Sequence, residues 1–454
     1  MILLLLLSSL LSACAIGGPA VGTGGTPPKN GPIQLYDLHG KLICQIHGQN
    51  LQLDCLNNRA LQSPLAFQFI DYAINELASD LRVNPTHLPS SQLNVSTTLD
   101  LDLQSQVLQK AQQYIATMAN THHMTNAAVV IIDYHTGSIR SLIGSLDGPT
   151  ATNRLNVVTQ KLRQVGSVFK PLVYATAFDQ GISPGEVVYD GPFSVGTPPY
   201  SPFNYDRRFH GYMSYRSALQ NDFNIPALKL FVKTGFDSLK QKAVALGINP
   251  DEFGATGYYA MPLGPMEMPL LDATVAYGTM ANSGLHIPPH AIDKISTSDG
   301  HIVYTTQSQP MRALNAGTAF MMTDVMSDNT ARKYEYGQCS PMLLYTTSQA
   351  QCQAGNPGPV RPAAVHSSVN DAFKDTLSIG YTTDFVVGAW TGNDDDSQMF
   401  NITALNGAAQ IWHDSMQLVE GNAPIKPFPG PPPGVVKQTV HYPNLTTTDW
   451  YLTK

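Results

Sequence analysis

The apolar positions of this chain change their period several times, and each change marks a new element. Between Ile33 and Ile46, apolar residues flank Leu38-His39-Gly40-Lys41, which predicts a strand, a turn and a second strand. From Leu65 to Leu81 the spacing is helical: Phe67, Ile70, Ala73, Ile74 and Leu77 share one face, and Pro85 and Pro89 end the element. A second helix is predicted from about Thr98. Asp100 and Asp102 occupy its first turn, where the helix dipole favours negative charge, and Leu103, Val107, Ala111 and Ile115 form its buried stripe. Ala127-Ala128-Val129-Val130-Ile131-Ile132 is then a continuous run rich in β-branched residues. His135-Thr136-Gly137 supplies a turn and Ile139 to Ile143 returns, so a buried hairpin is expected. Helical spacing resumes at Ser167 to Gln180, Tyr215 to Thr234, Leu239 to Leu246 and Leu270 to Asn282. Strand patterns follow at His290 to Ile295, His301 to Tyr304, Leu377 to Tyr381 and Phe385 to Trp390. Helices bracketed by early and late strands predict an α+β fold with one antiparallel sheet flanked by helices.

The first residues bear on location. Met1 to Leu11 is nearly all apolar but too short to span a bilayer, and Leu11-Ser12-Ala13-Cys14 closes it. That ending resembles a bacterial lipobox, in which cleavage precedes Cys14 and the Cys carries lipid; a plain signal peptide with an incidental Cys is the alternative. No Lys or Arg precedes the run, as a signal's basic start requires. The Gly/Pro/Thr stretch from Ala15 to Asn30 suits a tether behind an anchor. The expected organisation is a signal at 1–14, a tether at 15–32, a small connector region at 33–96, a catalytic domain at 97–420 and a tail at 421–454 opened by the proline-rich Pro424 to Pro433.

Composition narrows the class. The chain has 454 residues, 43% of them hydrophobic, enough for a large core with smaller additions. Charged residues make up 13%, about half the usual share, which fits a secreted or surface protein. The net charge of -7 is spread along the chain with no basic stripe, so a nucleic-acid partner is not expected. Apart from Cys14, four cysteines lie as two close pairs, Cys44 with Cys55 and Cys339 with Cys352, and local disulfides are expected outside the cytoplasm. No Cys/His group has zinc-site spacing, and no metal or cofactor is expected.

The candidate chemistry centres on Gln164-Val165-Gly166-Ser167-Val168-Phe169-Lys170-Pro171. Residues three apart share a helix face, so Ser167 and Lys170 are expected to point the same way. A serine hydroxyl is a weak nucleophile and needs an adjacent base, which a lysine supplies when burial keeps it neutral. A helix N-terminus adds a partial positive field for an oxyanion. Ser-x-x-Lys recurs in β-lactamases and penicillin-binding proteins. Gly-Ser-Val-Phe-Lys-Pro closely resembles the nucleophile motif of class A penicillin-binding proteins. The resemblance extends to Thr97 to Gln104, Ala127 to Ser145, Leu263-Gly264-Pro265-Met266-Glu267, Ala276 to Gly284, Ile379 to Asp384 and Trp390 to Asp394, covering roughly Thr97 to Met416. It implies the penicillin-binding-protein transpeptidase (β-lactamase-like) fold. It also implies acyl transfer: Ser167 attacks the D-Ala-D-Ala bond of a peptidoglycan stem peptide, an amine resolves the acyl-enzyme, and β-lactams trap Ser167.

The other two motifs of that family are altered. Its Ser-x-Asn motif aligns with Asp222-Phe223-Asn224, so Asp222 stands where the serine belongs while Asn224 is kept to orient a substrate amide. A carboxylate beside Lys170 would hold it charged and weaken it as a base; relaying a proton, or simply capping or pairing, are the other roles open to Asp222. The Lys-Thr-Gly motif aligns with His366-Ser367-Ser368. The resemblance places these residues at the substrate, where His366 supplies less charge than a lysine. Ser367 keeps a hydroxyl, and the Ser368 side chain is expected to obstruct the cleft. The N–H of Val369 is expected as the second oxyanion donor beside that of Ser167. The resulting expectation is a lipid-anchored, extracytoplasmic, penicillin-binding transpeptidase of altered efficiency. A non-catalytic binder of stem peptide or of a cell-wall partner is one alternative, and a D,D-carboxypeptidase or β-lactamase another. The class A glycosyltransferase domain has no counterpart among the residues before Thr97, so a separate glycosyltransferase is an expected partner. Tyr258, Tyr259 and the aromatics from Phe193 to Tyr215 are read as groove walls or loop packing, and His122-His123 as a loop pair.

Overall fold

The structure, a computed structural model, describes residues 31–47, 52–55, 65–89, 92–147, 155–254, 258–370 and 372–453. Cys14 and the tether up to Asn30 lie outside the described residues. Five strands form the central sheet, in the order Ala364–Val369, Asp375–Tyr381, Val386–Gly392, Asn126–Asp133 and Ser138–Ile143, each pair antiparallel. The strand Asn126–Asp133 is covered on both faces, which is why it reads as an unbroken apolar run. On one face Val129, Ile131 and Ala389 pack against Val107 and Ile115 of the helix Leu101–His122 and Trp412 of the helix Ala408–Glu420. On the other, Ala128, Val130 and Ile132 meet the buried faces of the helices Lys170–Asp179, Leu270–Ala281 and Ala316–Met326.

The expectation of a single antiparallel sheet is corrected. A second, six-stranded sheet runs in the order Ile302–Thr305, Ile292–Thr297, Leu93–Thr97, Ile33–Tyr36, Leu42–His47 and Gln52–Asp54. Within it Ile33–Tyr36 pairs in parallel with Leu93–Thr97. The alternation at His290 to Ile295 identifies a strand but says nothing of its partner, and the partner is Leu93–Thr97, with Ile292 opposite Thr97 and Ile295 opposite Val95. The sheet therefore crosses the boundary drawn at Thr97. Glu76, on the helix Phe67–Asp80, accepts hydrogen bonds from the backbone N–H groups of Ala291 (2.7 Å) and Ile292 (3.1 Å) and ties that helix to the same strand. Disulfides join Cys44 to Cys55 and Cys339 to Cys352.

The tail is not merely extended. Beyond the prolines, Val435–His441 and Thr446–Leu452 form an antiparallel hairpin, favoured by its threonines and aromatics. It docks on the domain through Arg216, whose guanidinium meets Asp449 at 2.5 Å and 2.8 Å, Asp324 at 2.5 Å and Asp328 at 3.3 Å. Ser183 Oγ donates to the Trp450 carbonyl (2.7 Å) and Thr447 Oγ1 to that of Gly185 (2.7 Å). Among the described residues no helix is long and apolar enough to cross a membrane.

Candidate active site

Ser167 stands on a short 3₁₀ turn, Gly166–Phe169, that runs directly into the helix Lys170–Asp179. The helical spacing from Ser167 therefore covers two tightly joined turns. In a 3₁₀ turn residues three apart eclipse, so Lys170 still falls on the side of Ser167. Pro171 sits in the first turn of the helix, where its missing N–H costs nothing. Gly166 enters the turn with φ +56°, a conformation glycine takes freely. Its N–H donates to the Gly264 carbonyl (2.8 Å), and a side chain on Gly264 would overlap the Gly166 carbonyl. The Leu263-Gly264-Pro265 segment thus belongs at the nucleophile turn, in a 3₁₀ turn and its exit.

The helical pattern from Tyr215 to Thr234 breaks at the second motif, into the helices Tyr215–Gln220 and Asn224–Thr234. Asp222, with φ +57°, occupies the break; Asn and Asp tolerate this left-handed region better than most residues. The break folds its carboxylate back over Lys170. Lys170 is fully buried, and its Nζ lies 2.5 Å from the Asp222 carbonyl, 2.5 Å from Asp222 Oδ1 and 2.7 Å from Asn224 Oδ1. Those three oxygens match the three N–H donors of an ammonium.

His366 completes the group. Its Nε2 lies 3.2 Å from Asp222 Oδ1, and since an ionised carboxylate only accepts, Nε2 carries the hydrogen. Its Nδ1 has no partner among the described residues. Burial pushes the imidazole down, and the raising effect of Asp222 does not restore it, so His366 is neutral at neutral pH. Burial pushes Asp222 up, but the charge of Lys170 and the hydrogen bond from His366 outweigh it and hold the carboxyl below its ordinary value.

The rest of the edge strand departs from what the resemblance implies. Ser368 does not obstruct the cleft: its hydroxyl donates to the Val165 carbonyl (2.9 Å), and the side chain fills the space beneath Gly166, where an added Cβ would meet it at 3.2 Å. Ser367 shares a hydrogen bond of 2.8 Å with Ser378, a residue of the neighbouring strand, and is fully buried. Asn370 N–H donates to the Asp375 carbonyl, so the alternation of an antiparallel ladder leaves the N–H of Val369 facing away from its neighbour strand. The N–H of Ser167, in the first turn of its own element, has no intrahelical acceptor.

A cleft of 780 Å³ opens over these residues. Ser167, Asp222, Asn224 and Val369 line it; Lys170 and His366 lie beneath Asp222, and Ser367 and Ser368 are turned away. Its walls also include residues the sequence reading did not single out as site residues: Gln164, Gly264, Glu335, Tyr336, Asn370 and Thr403 to Leu405. The Ser-x-x-Lys spacing carried no signal for them, because all but Gln164 arrive from segments distant in sequence. Glu335 is pushed up, first by burial and then by Asp222 and Asp206. Tyr200, Phe203 and Tyr205 line the groove, whereas Tyr258 and Tyr259 do not. His122 and His123 are the last residue of the helix Leu101–His122 and its left-handed cap rather than a loop pair, and their Nδ1 atoms lie on the carbonyls of Phe400 and Gln398.

A nucleophile on a helix start, a buried lysine one turn on, and an edge strand of an antiparallel sheet across the cleft define the class of serine acyl-transfer folds. Residues 127–340 match the family described as penicillin binding protein transpeptidase domain. Those residues carry a transpeptidase domain of the penicillin-binding-protein kind. It is 28% identical over 326 residues to penicillin-binding protein 1A of Rickettsia typhi, covering 67% of this chain and 40% of that protein. Against penicillin-binding protein 1A of Neisseria gonorrhoeae it is 29% identical over 308 residues, covering 65% and 36%. The chain therefore spans less than half the length of these curated relatives. Among solved structures, penicillin-binding protein 1A from Haemophilus influenzae shares the fold with a TM-score of 0.70 at 15% identity, covering 93% of this chain and 98% of that one. The PonA1 protein from Mycobacterium tuberculosis in complex with penicillin V does so with a TM-score of 0.63 at 23% identity, covering 80% and 96%.

Proposed function

We propose that this chain is a D,D-transpeptidase-type serine acyltransferase that takes D-Ala-D-Ala stem peptides as acyl donors and is acylated by β-lactams. The observation that carries this reading is Ser167 in the cleft, with Lys170 buried one turn away and held by Asn224. Ser167 Oγ attacks the carbonyl carbon of the penultimate residue and passes its proton to the basic group beneath it. The oxyanion forms between the N–H groups of Ser167 and Val369, and its collapse expels D-Ala, which takes up that proton. An amine then attacks the acyl-Ser167 ester and releases the cross-linked product. A bocillin-type fluorescent penicillin is expected to label the wild type and not Ser167→Ala; an unlabelled wild type would sink the acylation reading.

A second reading rests on one contact, the 2.5 Å pair of Lys170 and Asp222. An ammonium paired with a carboxylate must give up a proton before it can take one from Ser167, so acylation is slow and the cleft binds stem peptide more than it turns it over. Labelling at the rate of an ordinary penicillin-binding protein would rule this out. The reading also includes attachment to the outer face of the cell membrane through lipid on Cys14, with a separate glycosyltransferase supplying glycan strands. The Leu11-Ser12-Ala13-Cys14 pattern and the two disulfides support that location. Incorporation of a labelled fatty acid in vivo, lost in Cys14→Ala, is the corresponding measurement.

A further inference from the structure

We propose that Arg207 recognises the carboxylate of the acyl donor in this cleft. The inference rests on the acyl-donor reading above and deepens it. A ligand carboxylate entering the cleft needs a cation whose donors are free to face it. The edge strand does not supply one, because His366 is fully buried, spends its Nε2–H on Asp222 and does not line the cleft. Lys170 is equally buried and its three N–H donors have three protein oxygens. Arg332 is buried outside the lining and donates to the Met326 carbonyl.

Arg207 differs from all three. Among the described residues that line the cleft it is the one basic side chain, it is exposed, and none of the described ion pairs engages it. The neighbouring carboxylate, Asp206, is held by His210 Nε2 at 3.1 Å. The loop that carries Arg207 is fixed to the catalytic group. Asn204 accepts from the Asn224 N–H (2.8 Å) and donates to Asp190 (2.8 Å) and the Arg208 carbonyl (2.8 Å), while Phe203 accepts from Asn224 Nδ2 (2.7 Å). Arg207 follows in a left-handed turn, φ +59°, closed by its own N–H on the Asn204 carbonyl (2.9 Å). A planar guanidinium carried on a loop fixed in this way is suited to a bidentate grip on a carboxylate. The positive charge that the third motif lacks is thus supplied by the loop beside Asn224.

The test compares two stem-peptide mimics, one ending in a D-Ala-D-Ala carboxylate and the other in the carboxamide. The readout is the second-order rate of Ser167 acylation, followed by intact-protein mass. Wild type is expected to prefer the carboxylate. Arg207→Ala is expected to lower its rate about tenfold and bring the two mimics toward parity, with Arg207→Lys retaining part of the preference. A preference unchanged in Arg207→Ala overturns the proposal, as does a wild type that accepts both mimics equally, which leaves the acyl-donor reading standing. A wild type acylated by neither mimic removes that reading and this inference together. Thermal melting of Arg207→Ala should match wild type, since the side chain is exposed and makes no described ion pair.

Discussion

At the scale of single residues, the proposed nucleophile, Ser167, lies one turn from a buried lysine with an acidic partner. Lys170 is where the proposed acyl transfer needs a base, but Asp222 holds it charged from 2.5 Å. Replacing Asp222 by Ser and His366 by Lys together is therefore expected to raise the rate of penicillin acylation at least about tenfold, a barrier change of roughly 1.4 kcal/mol. An unchanged rate in the double variant would mean that Asp222 does not limit the base. The pH dependence follows from the directions of the shifts. Both Asp222 and His366 titrate lower in the folded protein than at their ordinary values of 3.8 and 6.5. Their contribution to stability is present above those values and is lost as pH falls: from 6.5 downward for His366, and below about 4 for Asp222. Lowering the pH from 6.5 to 5 should therefore raise the melting temperature of His366→Gln relative to wild type. The placing of Ser167 and Lys170 on one side was legible in the sequence because both lie within one turn. The consequence of Asp222 was legible only as alternatives, since the pairing that decides among them joins residues 170, 222 and 366, which no local pattern links. Ser368 shows the limit most plainly: a side chain in place of glycine predicts obstruction, yet Gly166 leaves it a space.

At the scale of elements, positions were easier to read than partnerships. The apolar run at Ala127 to Ile132 and the stripe from Leu103 to Ile115 identified their strand and helix, because burial dictates both patterns. The break at Asp222 was invisible, since the apolar spacing continues through it from Tyr215 to Thr234. The C-terminal hairpin was also missed, as short polar β-segments carry weak signals. That hairpin bears on the site: Arg216, which it holds through Asp449, opens the short helix that leads into Asp222. Asp449 is 4% exposed and Arg216 16%, so loss of the carboxylate removes the most buried of the guanidinium's partners and leaves Asp324 and Asp328. Asp449→Asn is expected to cost about 2 kcal/mol in denaturant unfolding, as for a hydrogen bond to a charged group, against well under 1 kcal/mol for an exposed pair. A loss below 0.5 kcal/mol, on the scale of a surface substitution, would show that the hairpin is only draped on the surface.

At the scale of the whole molecule, two titrating regions oppose each other. Burial pushes Glu76 up to about 7, against the two backbone N–H groups that favour its charged form. A carboxyl raised in the folded state contributes stability that is full below its ordinary value of 4.5 and is lost as pH rises through 7. Its slope opposes the acid limb from His366, so the two offset each other between about pH 4.5 and 6.5 and the net profile declines from there to about pH 7. Glu76→Gln should remove the decline between about pH 4.5 and 7 and leave the acid limb intact; a variant whose profile in that window matches wild type would contradict the assignment. The fold class was legible because helices bracketed by strands leave few architectures. The second sheet was not, because its pairing joins Thr97 to Ile292 across almost half the chain. That pairing has a consequence for synthesis on the ribosome. The strand Leu93–Thr97 leaves the exit tunnel roughly two hundred residues before Ile292–Thr297 can cover it, so for tens of seconds at ordinary elongation rates it offers an open edge to other nascent chains. A fragment cut at Thr97 for laboratory production would carry the mirror fault, with one edge of Ile292–Thr297 permanently bare.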